Sequence, residues 1–256
     1  MENNTPREAA SLALSLLDLT NLREDCDANA IEVLCRRATT PYGSAAAICI
    51  WPRFVRQARG ILGEGGNIRI ATVVNFPCGD LPVAEVMSET RQAVADGADE
   101  IDLVIPYRAF LAGDETAVTD MVVAVREACP HSCLKVIIEA GELKDSSLIR
   151  RASELAIEAG ADFIKTSTGK VAVNATLEAA DIMLRTIRDS RKRIGFKPAG
   201  GIGTVGDADL YLRLAETIMG SNWIMPSTFR FGASSLLDDI TAVLTGQPSS
   251  LAASGY

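Results

Sequence analysis

Two lysines sit where lysines are seldom found. Lys165 in D-F-I-K-T-S-T-G and Lys197 in G-F-K-P-A-G-G each interrupt a short apolar run of β-strand character. An ammonium group is costly to desolvate, so apolar strands rarely carry one. Two amines held close together depress one another's pKa, and a neutral lysine is a nucleophile toward carbonyl carbon. Asp102 in E-I-D-L-V-I and Lys135 in L-K-V-I-I-E break apolar strands in the same way. Side chains alternate between the two faces of a strand. Turning Lys165, Lys197, Asp102 and Lys135 to one face leaves Ile101, Leu103, Leu134, Val136, Ile164 and Phe196 on the other. That arrangement gathers three amines and a carboxylate, with Glu139 and Asp18 as further acids. A structural ion pair needs one partner of each sign, and this set over-supplies it, which favours a reactive centre over a buried salt bridge.

Glycine-rich segments follow the same strands. Pro198-Ala199-Gly200-Gly201 comes after Lys197, Thr166-Ser167-Thr168-Gly169-Lys170 after Lys165, and Gly232-Ala233-Ser234-Ser235 after the last strand. Backbone N–H groups at a helix start attract an anion, and Ser234, Ser235 and Lys170 add hydroxyls and a charge. Any one such loop is explained as a tight turn; three on one rim point to phosphate.

The elements that must carry these residues alternate regularly. Strands are expected at 16–20, 45–50, 68–74, 100–105, 134–139, 163–166, 194–197 and 229–232, after an additional N-terminal helix. Helices are expected at 82–96, 114–128, 145–159, 175–190 and 206–219. Leu148, Ala152, Leu155 and Ala159 keep helical spacing, with Asp145-Ser146 as a start and Gly160 as a stop. Near-continuously apolar strands alternating with helices imply a parallel sheet covered by helices. A-D-G-A-D-E-I-D-L-V echoes E-A-G-A-D-F-I-K-T, with Gly97 and Gly160 two βα units apart at ~30 residues each. Eight units in this length predict an α/β fold, a (β/α)8 TIM barrel, spanning residues 1–256 as a single domain; a doubly wound open sheet is the runner-up.

Composition narrows the function. The 256 residues carry 33 acids and 25 bases, a net charge of −8, which argues against general nucleic-acid binding. No apolar run reaches the length of a membrane span, and the N-terminus lacks the pattern of a signal peptide. Six cysteines are expected to be reduced thiols of a cytoplasmic protein. Cys129, His131 and Cys133 match no strong zinc spacing, so no metal is expected. Gly201-Ile202-Gly203-Thr204-Val205-Gly206 satisfies the dinucleotide fingerprint, but no acidic residue follows at the end of the next strand. Gly169-Lys170 lacks the upstream glycine of a P-loop. No cofactor is expected.

These residues resemble those of the deoxyribose-phosphate aldolases, lysine-dependent (class I) enzymes of the bacterial type. The likeness covers nearly the whole chain and is most specific in L-K-V-I-I-E-A-G-E-L, A-D-F-I-K-T-S-T-G-K, G-F-K-P-A-G-G and R-F-G-A-S-S-L-L. The resemblance implies a (β/α)8 barrel, no metal, and reversible cleavage of 2-deoxy-D-ribose 5-phosphate to D-glyceraldehyde 3-phosphate and acetaldehyde. It makes Lys165 the Schiff-base lysine, Lys197 the partner that lowers its pKa and aids proton transfer, and Asp102 the proton donor and acceptor. Gly169, Lys170, Gly200, Gly201, Gly232, Ser234 and Ser235 resemble the phosphate rim, and Tyr256 a C-terminal proton shuttle. Asp18, Cys49 and Lys135 are expected to complete the substrate pocket. One departure stands out: relatives often read G-G-V-R-T where this chain has Gly201-Ile202-Gly203-Thr204, so a guanidinium near the phosphate is missing. A weaker preference for phosphorylated substrates is the expected consequence. The implied partners are phosphosugar and aldehyde substrates, not nucleic acid or membrane; a homodimer is compatible with this reading. Other class I aldolases, transaldolases and a non-catalytic phosphosugar-binding barrel remain as alternatives.

Overall fold

The computed structural model describes residues 5–249; Tyr256, expected at the site, lies outside them. Eight parallel strands follow one another in chain order around a barrel: β1 (Leu17–Asn21), β2 (Ala47–Ile50), β3 (Arg69–Val74), β4 (Glu100–Val104), β5 (Cys133–Ile137), β6 (Phe163–Lys165), β7 (Gly195–Lys197) and β8 (Phe231–Ala233). β8 pairs with β1, with Asp18 opposite Gly232. Two single parallel bridges, Phe196 to Phe229 and Ala199 to Gly232, complete the ring between β7 and β8. The fold is the expected TIM barrel, with the additional helix Pro6–Ser15 at its N-terminus.

Side-chain caps mark where several of the helices begin. Thr5 and Glu8 form a reciprocal capping box ahead of Pro6–Ser15, and Thr204 and Asp207 do the same for Val205–Met219. Asp145 caps Ser146–Glu158, the start expected from sequence, and Gly160 follows its end at φ 108°. Helices on the outside of the barrel turn apolar stripes onto the strands, so Ile101, Leu103, Leu134, Val136, Ile164 and Phe196 are fully buried between sheet and helices. Among the described residues, no helix is long and apolar enough to cross a membrane.

Several boundaries differ from expectation by one or two residues, and two of them bear on the site. The fifth strand ends at Ile137, because Glu139 adopts a left-handed backbone at φ 55° and turns the chain into the short helix Ala140–Leu143. The last strand begins at Phe231, not residue 229. Residues 229 and 230 pass along β7 through isolated contacts, Arg230 N–H donating to the Phe196 carbonyl at 3.0 Å, before Phe231 joins β1.

Candidate active site

Alternation along the strands turns the polar residues into the barrel, and the register sets them side by side. Asp102 lies opposite Lys135 across β4 and β5, and Lys165 opposite Lys197 across β6 and β7. Lys165 Nζ and Lys197 Nζ both donate to Asp102 Oδ2, each at 2.7 Å. The two nitrogens therefore lie within twice that distance of each other. Lys135 Nζ donates to the other carboxylate oxygen, Asp102 Oδ1, at 2.9 Å and pairs with Glu100 Oε2 at 2.5 Å. Lys197 also pairs with Asp18 Oδ2 at 2.5 Å. Arg230 closes the floor, its Nη1 donating to Asp18 Oδ1 at 2.7 Å and its Nη2 to Glu100 Oε1 at 2.8 Å. Four cationic side chains thus share three carboxylates in one contact network.

Removing these charges from water costs several kcal/mol per ion unless partners repay it. Here they do. Burial opposes ionisation of Asp102, but Lys135, Lys165 and Lys197 outweigh it and hold the carboxyl well below the usual range. Burial likewise opposes ionisation of Asp18, and Lys197, Arg230 and Lys135 hold it low. For Lys135, Asp102 and Glu100 overcome the same burial and raise its pKa well above that of a free lysine. Lys197 moves in the same direction through Asp102 and Asp18. Lys165 differs in its surroundings: among the described residues Asp102 is its one carboxylate contact, and it shares that oxygen with Lys197.

Lys165 also reaches the open. It lines a cavity of about 760 Å³ at the C-terminal ends of the strands, whereas Lys197, Asp102, Asp18 and Lys135 are wholly buried beneath it. The glycine-rich loops form the cavity's walls, so Gly169, Lys170, Gly200, Gly201, Gly232, Ser234 and Ser235 converge there as expected. Lys170 Nζ donates to the Leu22 carbonyl at 2.8 Å, joining the loop after β6 to the loop after β1. Two glycines are required by packing. A Cβ on Gly232 would stand 2.8 Å from Ala199 Cβ and 3.1 Å from Lys197 Cε, and one on Gly195 would overlap the Phe163 ring. Gly201-Ile202-Gly203 forms cavity wall and leads into the Thr204 cap, so this dinucleotide-like string builds part of the pocket.

Cys49, Asp18 and Lys135, expected to touch substrate, do not line the cavity. Cys49 is fully buried on β2 beside Ala71 and Val73, and burial pushes its thiol pKa up. Asp18 and Lys135 lie in the layer under Lys165. Sequence reasoning missed Glu100 and Arg230, although the parity that turned Asp102 inward turns Glu100 inward too. Two further cavity residues were missed: Arg37, on a helix that carried no chemical signal, and Asn174, four residues past Lys170 in the loop after β6. Glu139 sits near Lys165 and accepts from the Thr168 backbone N–H at 3.1 Å; burial raises its carboxyl pKa against that hydrogen bond.

Comparison with known proteins agrees with this geometry. A family model described as DeoC/LacD family aldolase matches residues 12–241. A deoxyribose-phosphate aldolase of Agrobacterium fabrum is 71% identical over 257 residues, covering 100% of this chain and 99% of its own. A protein of Coccidioides immitis, provisionally assigned as a deoxyribose-phosphate aldolase, superposes with a TM-score of 0.81 at 30% identity, over 92% of this chain and 87% of its own. A Toxoplasma gondii protein with the same provisional assignment superposes with a TM-score of 0.87 at 25% identity, over 95% and 96% of the two chains.

Proposed function

Because this chain belongs to the DeoC/LacD family of aldolases, we propose that it is a lyase that reversibly cleaves 2-deoxy-D-ribose 5-phosphate to D-glyceraldehyde 3-phosphate and acetaldehyde through a Schiff base on Lys165. One observation carries the choice of nucleophile: Lys165 is the amine of the network that lines the cavity, and it has one shared carboxylate contact.

In its neutral form Lys165 Nζ attacks the C1 aldehyde of the open-chain sugar. Loss of water gives an iminium, which withdraws electrons from the C2–C3 bond. As the C3 hydroxyl gives up its proton, that bond breaks, releasing glyceraldehyde 3-phosphate and leaving C1 and C2 on Lys165 as an enamine. Protonation at C2 and hydrolysis then free acetaldehyde and regenerate the amine. Asp102 relays these protons, through water where it does not reach the substrate directly, and Lys197 keeps positive charge beside Lys165 so that the amine is neutral when needed. The glycine-rich rim with Lys170, Ser234 and Ser235 holds the 5-phosphate. The six thiols are free, which suits a reducing, cytoplasmic setting.

Incubation with acetaldehyde and borohydride, followed by mass spectrometry, tests the reading. Wild-type protein is expected to carry a reduced adduct on Lys165, and Lys165→Ala to carry none and to lose turnover. An adduct that survives in Lys165→Ala would transfer the nucleophile's role to another residue.

A further inference from the structure

We infer that Arg37 is a specificity-determining contact of this site, the guanidinium that recognises the substrate's 5-phosphate. The inference rests on the aldolase reading and adds a residue from outside the glycine-rich rim. Arg37 ends the helix Ala28–Arg37 and lines the same cavity as Lys165, Lys170 and Ser235. Its Nη2 reaches Asp238 Oδ1. Asp238 belongs to the first turn of the helix Leu236–Leu244, and its N–H donates to the Ser235 carbonyl at 3.0 Å. The guanidinium is thereby held one helical turn from the proposed anion rim.

Electrostatics there require a cation. The N-terminal turn of Leu236–Leu244 attracts an anion through its helix dipole, yet it carries Asp238 and the buried Asp239, whose charges repel a phosphate dianion. Gly203, beside Ser235, contributes no charge: a Cβ built there meets only Ser235 Oγ at 3.5 Å. Besides Lys165, the cavity's cations are Lys170, Arg23 and Arg37. Arg23 is committed to Asp25 through Nε and Nη2, both at 2.8 Å. Arg37 touches Asp238 through one nitrogen of its fork, leaving other N–H donors for a phosphate. An exposed pair of this kind adds little to stability, so its effect lies in placing the guanidinium and cancelling the Asp238 charge.

Steady-state cleavage of 2-deoxyribose 5-phosphate and of 2-deoxyribose separates this role from others. Arg37→Met is expected to raise KM for the phosphorylated sugar about 10- to 100-fold, with kcat nearly unchanged. Its kcat/KM for the unphosphorylated sugar stays within about twofold of wild type, as charge-assisted contacts to an absent phosphate predict. Arg37→Lys should fall between, and Asp238→Asn should lower KM for the phosphorylated sugar. The competitive inhibition constant of inorganic phosphate should move in parallel with these KM values. Equal losses on both sugars, or no loss on either, would overturn the assignment. Acetaldehyde trapping separates a failure of this assignment from a failure of the aldolase reading. An Arg37→Met protein that forms the Lys165 adduct at the wild-type rate is folded and competent, so its phosphate data decide the role of Arg37. A wild-type protein that forms no adduct would remove the aldolase reading, and this inference with it.

Discussion

Replacing Lys197 with methionine probes the electrostatic logic of the site. Lys165 and Lys197 share Asp102 Oδ2 at 2.7 Å each. Taking their separation as about 5 Å and an effective dielectric of about 20, their ammonium charges repel by roughly 3 kcal/mol. The contact network holds four cations and three carboxylates, and Lys165 is the amine with the fewest carboxylate contacts in it. Lys197→Met leaves three of each and takes that repulsion away from Lys165. Losing roughly 3 kcal/mol of that repulsion corresponds to about a hundredfold slower attack by Lys165 at neutral pH. The assay is the pseudo-first-order rate of borohydride-trapped adduct formation with acetaldehyde between pH 6 and pH 10, read on Lys165 by mass spectrometry. The expected result is a rate about a hundredfold below wild type at pH 7 that climbs with pH and closes the gap at the alkaline end. Folding should survive, because Asp18 keeps Arg230, and Asp102 keeps Lys135 and Lys165. An unchanged adduct rate at pH 7 with cleavage still lost would refute the reasoning and confine Lys197 to later proton transfers.

Other perturbations bear on the same core. Glu100→Gln strips a carboxylate from both Lys135 and Arg230 and should cost about 3–5 kcal/mol in denaturant unfolding, because buried cations lose their partner. Gly195→Ala forces a methyl into the Phe163 ring. It should destabilise by about 1–3 kcal/mol and slow adduct formation by displacing the neighbouring β6 strand; a fully stable, fully active variant would show that the floor yields. The pH dependence of unfolding has a defined sign. Asp18 and Asp102 ionise more readily folded than unfolded, so their contribution is complete above pH 3.8 and is lost as pH falls through their lower folded values. Lys135 and Lys197 have raised values, so theirs is complete below pH 10.5 and is lost only as pH climbs through the higher folded values. Thermal melts should show no loss from this network between those limits, and Asp18→Asn should flatten the acid limb.

Much of this was legible in the chain because strand parity is a rigid code. Once Lys165 and Lys197 break apolar runs, alternation alone turns Asp102 and Lys135 toward them, and the structure adds that Lys165 and Lys197 are register partners. Alternation gives a direction without a depth, however. Asp18, Lys135 and Cys49 point inward as expected and end up beneath the cavity, because depth depends on strand stagger around the closed barrel. Arg230 was hidden by an irregular approach to β8, where residues 229 and 230 track β7 without forming a continuous ladder. Arg37 was hidden for a different reason: a basic residue in the last turn of a helix is ordinary for dipole reasons, and only the meeting with the helix after β8 gives it a further meaning.

The contact between Asp18 and Arg230 joins residues 212 positions apart, and Asp18 meets Lys197 across 179. During synthesis the first strand therefore waits for nearly the whole chain. Until the eighth strand emerges, Asp18 and Glu100 lack their arginine, and the edges of β1 and β7 lie open to stray strand pairing. Insertion of that last strand seals the sheet and brings Arg230 into the contact network in one event. Closure of the sheet and completion of the buried lysine network therefore depend on the same C-terminal segment, which carries Arg230 and Phe231.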